Sequence, residues 1–493
     1  MGASSDQLVF GTGALVLVGL YLLSMLGIGW IGRLKRKSNT LADFYLAGRS
    51  MGFLVLFLTL YATQYSGNTL FGYTGKTYRI GFEWTVSVLF MFSIIAGYML
   101  FAPRLVLLAR KMDFITPGDY ISHRFKSPVL TLLSTILMIY ALGNYTLAQL
   151  KAMGAAVEGI TDGMVPSEYG IVGLAIIMVV YETLGGMRSV AWTDVIQGLV
   201  LLTGFLLLLF TIPAMGGGLT AVVEKVGQLE PPKVEVPSLE GCNTWISYVF
   251  LLGCGAAIYP QAIQRLYASR SLRVLKRSLA LMAFMPLTTT LIALVCGMVA
   301  IVVLPGLERG ETDQVLARLC ALVMSHSTLG YWLVVVVFAA ILAALMSTAD
   351  SALLSISSMI TRDIYQAHIR PRSNQSELTL VGKMCSWVII ALLVLIAIGT
   401  EKTLIRLLEL KFELLIQIVP CFFLGLYWRR LSARTVLGGM VAGLVVALGL
   451  TWAGHPRVWG FHAGVIGLAL NLIWCAAGTL IAPREADPAG QQG

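Results

Sequence analysis

The stretch LYATQYSGNTLFGYTG, Leu60 to Gly75, decides how the rest of the chain is read. Apolar sequence flanks it at membrane-spanning density, yet its centre carries Thr63, Gln64, Ser66, Gly67, Asn68 and Thr69. Backbone at membrane depth leaves the helix only where it is buried in protein or lines a wet cavity, because each unpaired amide in hydrocarbon costs several kcal/mol. The stretch therefore reads as a broken helix beside a polar site. A continuous helix with a polar stripe against its neighbours is the competing reading.

Composition sets the surroundings of that break. The 493 residues are 57% apolar and only 12% charged, against about 25% charged in soluble domains. This is an all-α polytopic membrane protein. Apolar runs near the ~20 residues needed to cross hydrocarbon recur along the chain, at about 9–32, 52–75, 82–109, 127–158, 166–184, 189–213, 243–266, 275–304, 329–361, 379–399, 403–428, 433–454 and 460–481. Those are thirteen spans, so the termini fall on opposite sides. With the N-terminus outside, 24 of the 35 Lys and Arg lie in cytoplasmic loops, Arg188 and Arg265 among them, which satisfies the positive-inside rule. The net charge of +10 is thus a topology signal, and nucleic acid is dropped as a partner in favour of membrane lipid. The first span is too long for a signal-peptide core and lacks a basic lead, so it reads as a retained helix.

Neither the seven cysteines, which have no CxxC spacing, nor the five histidines, which have no helical pair in mid-membrane, suggests a metal, a haem or another cofactor. No nucleophile constellation stands out either, so a membrane enzyme is disfavoured.

The seventh span offers a counterpart to the first break. Gly253-Cys254-Gly255 and then Tyr259-Pro260 interrupt it with residues that weaken a helix. It lies five spans after the first, so 52–213 and 243–428 read as two five-helix inverted repeats with broken leading helices, following a leading helix at 9–32. Trailing helices at 433–481 and a short cytoplasmic tail at 482–493 complete one transporter domain. Such repeats place solute and ion sites near the bilayer midplane.

Polar residues mark the site. In the ninth span Asp350 would cost about 2.5–3.5 kcal/mol at a helix centre unless it faces protein, water or an ion. Ser347, Thr348 and Ser351 put hydroxyls beside it, and carbonyls freed at Ala62 and Tyr65 would complete an oxygen cage for a hard cation. Asp194, one turn into the sixth span, completes a second cation site, gates the cytoplasmic side, or pairs with an arginine such as Arg188. In the fourth span Tyr140, Asn144 and Lys151 share a face; Lys151 snorkels or receives an anionic solute. Glu409, Lys411 and Glu413 form a charge set near the outer surface, with Lys411 a weaker solute candidate.

These motifs resemble the sodium/solute symporters. DFYLAGRSMG at Asp43–Gly52, GGMRSVAWTDVIQG at Gly185–Gly198, AALMSTADS at Ala343–Ser351, PQAIQR at Pro260–Arg265 and FLGLYWRR at Phe423–Arg430 follow in order over most of the chain. The resemblance implies a thirteen-helix fold with a five-helix inverted repeat of the LeuT-like kind. It also implies a sodium site from the carbonyls of Ala62, Tyr65 and Ala344 with the hydroxyls of Ser347 and Thr348. The additional site known in some members would fall on Asp194, Ser347, Asp350 and Ser351, although Asp350 stands where the sialic acid carriers have serine. Gln64 replaces the aspartate of the proline carriers, which argues against proline. The span 2 stretch is most similar to the pantothenate carriers.

The expectation is a sodium-driven symporter in the cytoplasmic membrane. It would import a small polar solute, a carboxylate by the argument from Lys151, with Gln64, Ser66, Asn68, Thr69, Asn144, Lys151 and Tyr259 as the solute set. The alternatives are a neutral solute or amino acid, and a transporter-like sensor without net flux.

Overall fold

The computed structural model describes residues 9–229, 232–399 and 411–481, without the side chains of Asn68 and Asp313. The start of the 403–428 span, Glu409 and the tail at 482–493 lie outside the described residues. Helix follows helix: α1 (Thr12–Leu34), α2 (Phe53–Gln64), α3 (Gly67–Ile80), α4 (Val86–Met112), α5 (Pro128–Ile160), α6 (Ser167–Gly185) and α7 (Met187–Met215). After the 232–238 loop come α8 (Leu239–Ala257), α9 (Pro260–Ala268), α10 (Leu272–Met282), α11 (Thr290–Val303), α12 (Val315–His326) and α13 (Thr328–Met359). The chain closes with α14 (Gln375–Gly399), α15 (Ala433–Trp452), a two-residue hairpin of β1 (Arg457–Val458) and β2 (Phe461–His462), and α16 (Ala463–Ile481).

Among the described residues, ten helices are long and apolar enough to cross a membrane, or eleven with the bent pair α8–α9 counted as one span. Of the remaining expected spans, 52–75 is divided into α2 and α3, and 403–428 begins outside the described residues. α1 and α14 turn most of their apolar surface outward, with Leu20, Leu23, Leu392 and Leu395 exposed. Such faces suit hydrocarbon as solvent.

α13 is the opposite case, since every residue from Val337 to Met359 is buried. A helix enclosed all round needs no polar face. Each hydroxyl and carboxylate it carries must then find a partner inside the protein. It packs against α5, α7, α2 and α9, which brings both broken helices to its polar segment.

The two breaks differ in cause. α2 stops at Gln64, and Tyr65 and Ser66 run extended before α3. α8 bends by 51° into α9, with Ile258 and Tyr259 leaving the helix and Pro260 at the first position of α9. Pro is at home there, because that amide has no helical partner anyway. The expected interruption at Gly253-Cys254-Gly255 does not occur: α8 runs through it unbroken. A Cβ at Gly253 would collide with Ser93 of α4, so that glycine serves close helix packing.

Candidate sodium and solute sites

At the first break, Tyr65 still donates its amide to the Tyr61 carbonyl at 3.1 Å. The next carbonyls, of Ala62, Thr63 and Gln64, lose the amide four residues on, as at any helix end. Thr63 Oγ1 lies 3.4 Å from Ser351 Oγ, so α2 and α13 meet at this level. Thr348 Oγ1, on the same stretch of α13, is buried without a hydrogen bond of normal geometry among the described residues. An unmet hydroxyl in a dry interior costs about 1–3 kcal/mol, and an oxygen-seeking cation supplies what it lacks. Ala344 sits one turn earlier on α13. Ser347 is engaged elsewhere, with Oγ donating to Asp194 Oδ1 at 2.5 Å.

Asp194 leads to the residue that the charge count misplaces. Arg265, grouped above with the cytoplasmic cations, is wholly buried. Its Nη2 is 2.9 Å from Asp194 Oδ2 and also donates to Ser351 Oγ, while Nε donates to Thr59 Oγ1 at 2.8 Å. Thr59 in turn donates to Asp194. An arginine does pair with Asp194, but it is Arg265; Arg188 binds Asp43 at 2.9 Å. Asp350 is met by neutral donors: the Tyr181 hydroxyl, and Ser351 Oγ at 3.1 Å. In this structure the guanidinium thus holds Asp194 and Ser351, two of the groups that the family resemblance gives to a second sodium.

Beside the break lies a cavity of about 170 Å³. Gln64, Ser66, Thr69 and Tyr259 of the expected solute set line it; Asn144 and Lys151 do not. The Asn68 side chain is outside the described residues. Gln64 is held by the Tyr98 hydroxyl at 3.1 Å, and the Tyr259 hydroxyl is buried with no partner among the described residues. No Asp or Glu of the described residues lines the cavity, whereas Lys76, Arg79 and Lys411 do.

Lys411 is not near the surface, being 1% exposed. Its Nζ lies 3.3 Å over the Tyr145 ring, 4.8 Å from that of Phe412 and 5.5 Å from that of Tyr259. Desolvated cation–π contacts contribute about 2 kcal/mol, less than the several kcal/mol that removing an ammonium from water costs. Toward the far end of α3 a second cavity of about 160 Å³ shares Lys76, Trp84 and Tyr248 with the first. His462 lines the inner one; burial, then Arg457 and Lys76, push its pKa down to about 3, so it is neutral near pH 7.

Sequence reasoning missed Tyr145 and Arg265 and underrated Lys411. For Arg265 a signal existed, since PQAIQR sets a charge five residues past a proline break. Tyr145 carried none, standing beside the more conspicuous Asn144.

A sequence profile of the sodium:solute symporter family matches residues 44–443. The chain is 28% identical to the sodium/pantothenate symporter of Escherichia coli, over 92% of this chain and 93% of that protein. It is 27% identical to the sodium/glucose cotransporter of Vibrio parahaemolyticus, over 88% and 84%. The fold matches that of a Na+-coupled sialic acid symporter in a substrate-bound outward-open state, with a TM-score of 0.82 at 21% identity, over 96% of this chain and 99% of that one.

Proposed function

Because the chain belongs to the sodium:solute symporter family, we propose that it couples sodium entry to import of a small organic anion, a monocarboxylate, across the cytoplasmic membrane. The observation that carries the anion is the cavity lining, where Lys411 stands with no Asp or Glu of the described residues. Its volume is below the roughly 300–1,000 Å³ of drug-sized sites, in keeping with a small solute.

Sodium binds where α2 breaks, between the carbonyls of Ala62, Tyr65 and Ala344 and the hydroxyls of Thr348 and Ser347. The released carbonyls, and the Thr348 hydroxyl that makes no hydrogen bond of normal geometry among the described residues, support that placement. The ion holds the break in its extended form, and Gln64, Ser66, Thr69 and Tyr259 present donors to the solute. Alternating access then opens the other side, with the N-terminus outside and the cavity opening outward along α3.

Uptake into proteoliposomes tests this, using labelled pantothenate, sialic acid and glucose with and without an inward sodium gradient. Sodium-driven carboxylate uptake is expected. Uptake driven equally well by protons would remove the sodium assignment, glucose uptake alone would remove the anion, and binding without flux would make the protein a sensor.

A further inference from the structure

Resting on the anion reading above, we propose that Lys411 is the anchor for the solute's carboxylate and sets the selectivity of the site for anions. Three observations converge on it. The ammonium is enclosed, and among the described residues its contacts are the ring faces of Tyr145, Tyr259 and Phe412, with no carboxylate and no hydrogen-bond acceptor. It lines the same cavity as the break. The rings that hold it come from separate elements, Tyr145 from α5 and Tyr259 from the second break, and they stack at 5.6 Å and 12°.

Ring faces attract a cation but leave its N–H donors unused. A carboxylate supplies both the counter-charge and the acceptors. The Tyr259 hydroxyl, without a partner among the described residues, adds a neutral donor beside it. A solute lacking the carboxylate would leave the cation as it stands and gain nothing from it. Lys411 therefore discriminates by charge, while the donors at the break read the remainder of the molecule. Tyr259 links the two tasks, since it belongs both to the cage and to the broken helix.

The test is tryptophan fluorescence of the purified full-length protein in sodium, titrated with pantothenate, its uncharged alcohol panthenol, sialic acid and glucose. Wild type should bind at least one carboxylate more tightly than the neutral compounds. Lys411→Met should weaken that binding by about 100-fold and erase the preference of pantothenate over panthenol, with thermal stabilisation by sodium retained. If Lys411→Met loses that stabilisation as well, Lys411→Gln keeps a polar tip in place and is read the same way. Carboxylate binding as tight in the variant as in wild type would overturn the role of Lys411 and leave the anion reading standing. A wild-type protein that binds no carboxylate would overturn both.

Discussion

Ser347 and Thr348 are neighbours on one helix, yet losing their hydroxyls should cost different things. Thr348 Oγ1 makes no hydrogen bond of normal geometry among the described residues, so Thr348→Ala should cost less thermal stability without sodium than Ser347→Ala. It should raise the sodium needed for half-maximal uptake at least about tenfold, or ~1.4 kcal/mol. Ser347→Ala strips Asp194 Oδ1 of its donor, and about 1–3 kcal/mol of stability should go with it. Unchanged sodium activation in the double alanine variant would remove the ion site. Arg265→Met strands Asp194 in the interior and should cost about 3–5 kcal/mol, much of it recovered by Arg265→Met with Asp194→Leu; thermal unfolding in detergent reads both. Outside the spans, burial alone would raise the Asp43 carboxyl, but Arg188 and the amides of Ser38 and Lys37 outweigh it and hold it below the ordinary range. Its contribution is therefore full above the unfolded value of ~3.9 and lost as pH falls through the lower folded value. Unfolding temperature against pH should lose that acid-side slope in Asp43→Asn. At this scale the sequence was most legible where polarity broke an apolar run, as at Thr348 and Asp350. Arg265 and Lys411 escaped because a cation near a span end looks like a loop charge until the fold encloses it.

Elements were easier to read than their causes. The broken second span was legible because no apolar helix tolerates so many polar residues without a cavity. The second break was legible at Tyr259-Pro260 and misread at Gly253, since a glycine that lets two helices touch looks the same in sequence as one that weakens a helix. Gly186, between α6 and α7, is a true conformational glycine with φ 60° and ψ −145°. A Cβ there would also collide with the Phe44 carbonyl oxygen. Gly186→Ala should therefore cost about 1–3 kcal/mol and displace the Asp43–Arg188 pair packed beside it, which thermal unfolding and a shift in the acid-side slope would register.

For the whole molecule, the count of sodium ions decides the energetics. A 100 mV potential contributes about 2.3 kcal/mol per charge and a tenfold gradient ~1.4 kcal/mol, so one sodium concentrates a neutral solute roughly 500-fold. A monocarboxylate cancels the charge of one sodium, and the ceiling falls to about tenfold. Two sodium ions would leave one net charge and a ceiling of several thousand-fold. With Arg265 already on Asp194 and Ser351, the expected outcome is one sodium per carboxylate. Uptake into proteoliposomes should then be indifferent to an imposed potassium diffusion potential, with single-site sodium activation. The all-α, many-span architecture was legible from span spacing. What was not legible is how spans far apart in sequence share one cavity.

Arg265 also joins parts that carry no common chemistry. Its side chain grips Thr59 of the first broken helix from within the second, and Met51 and Ala268 add a backbone bond at 3.1 Å between the same two segments. The halves of both broken helices that lie away from the cavity therefore travel as one body, fastened to α7 through Asp194. Either half swinging out by itself would strand a buried charge. The knot thus ties any movement of one broken helix to the other, because separating them would leave a buried charge unpaired.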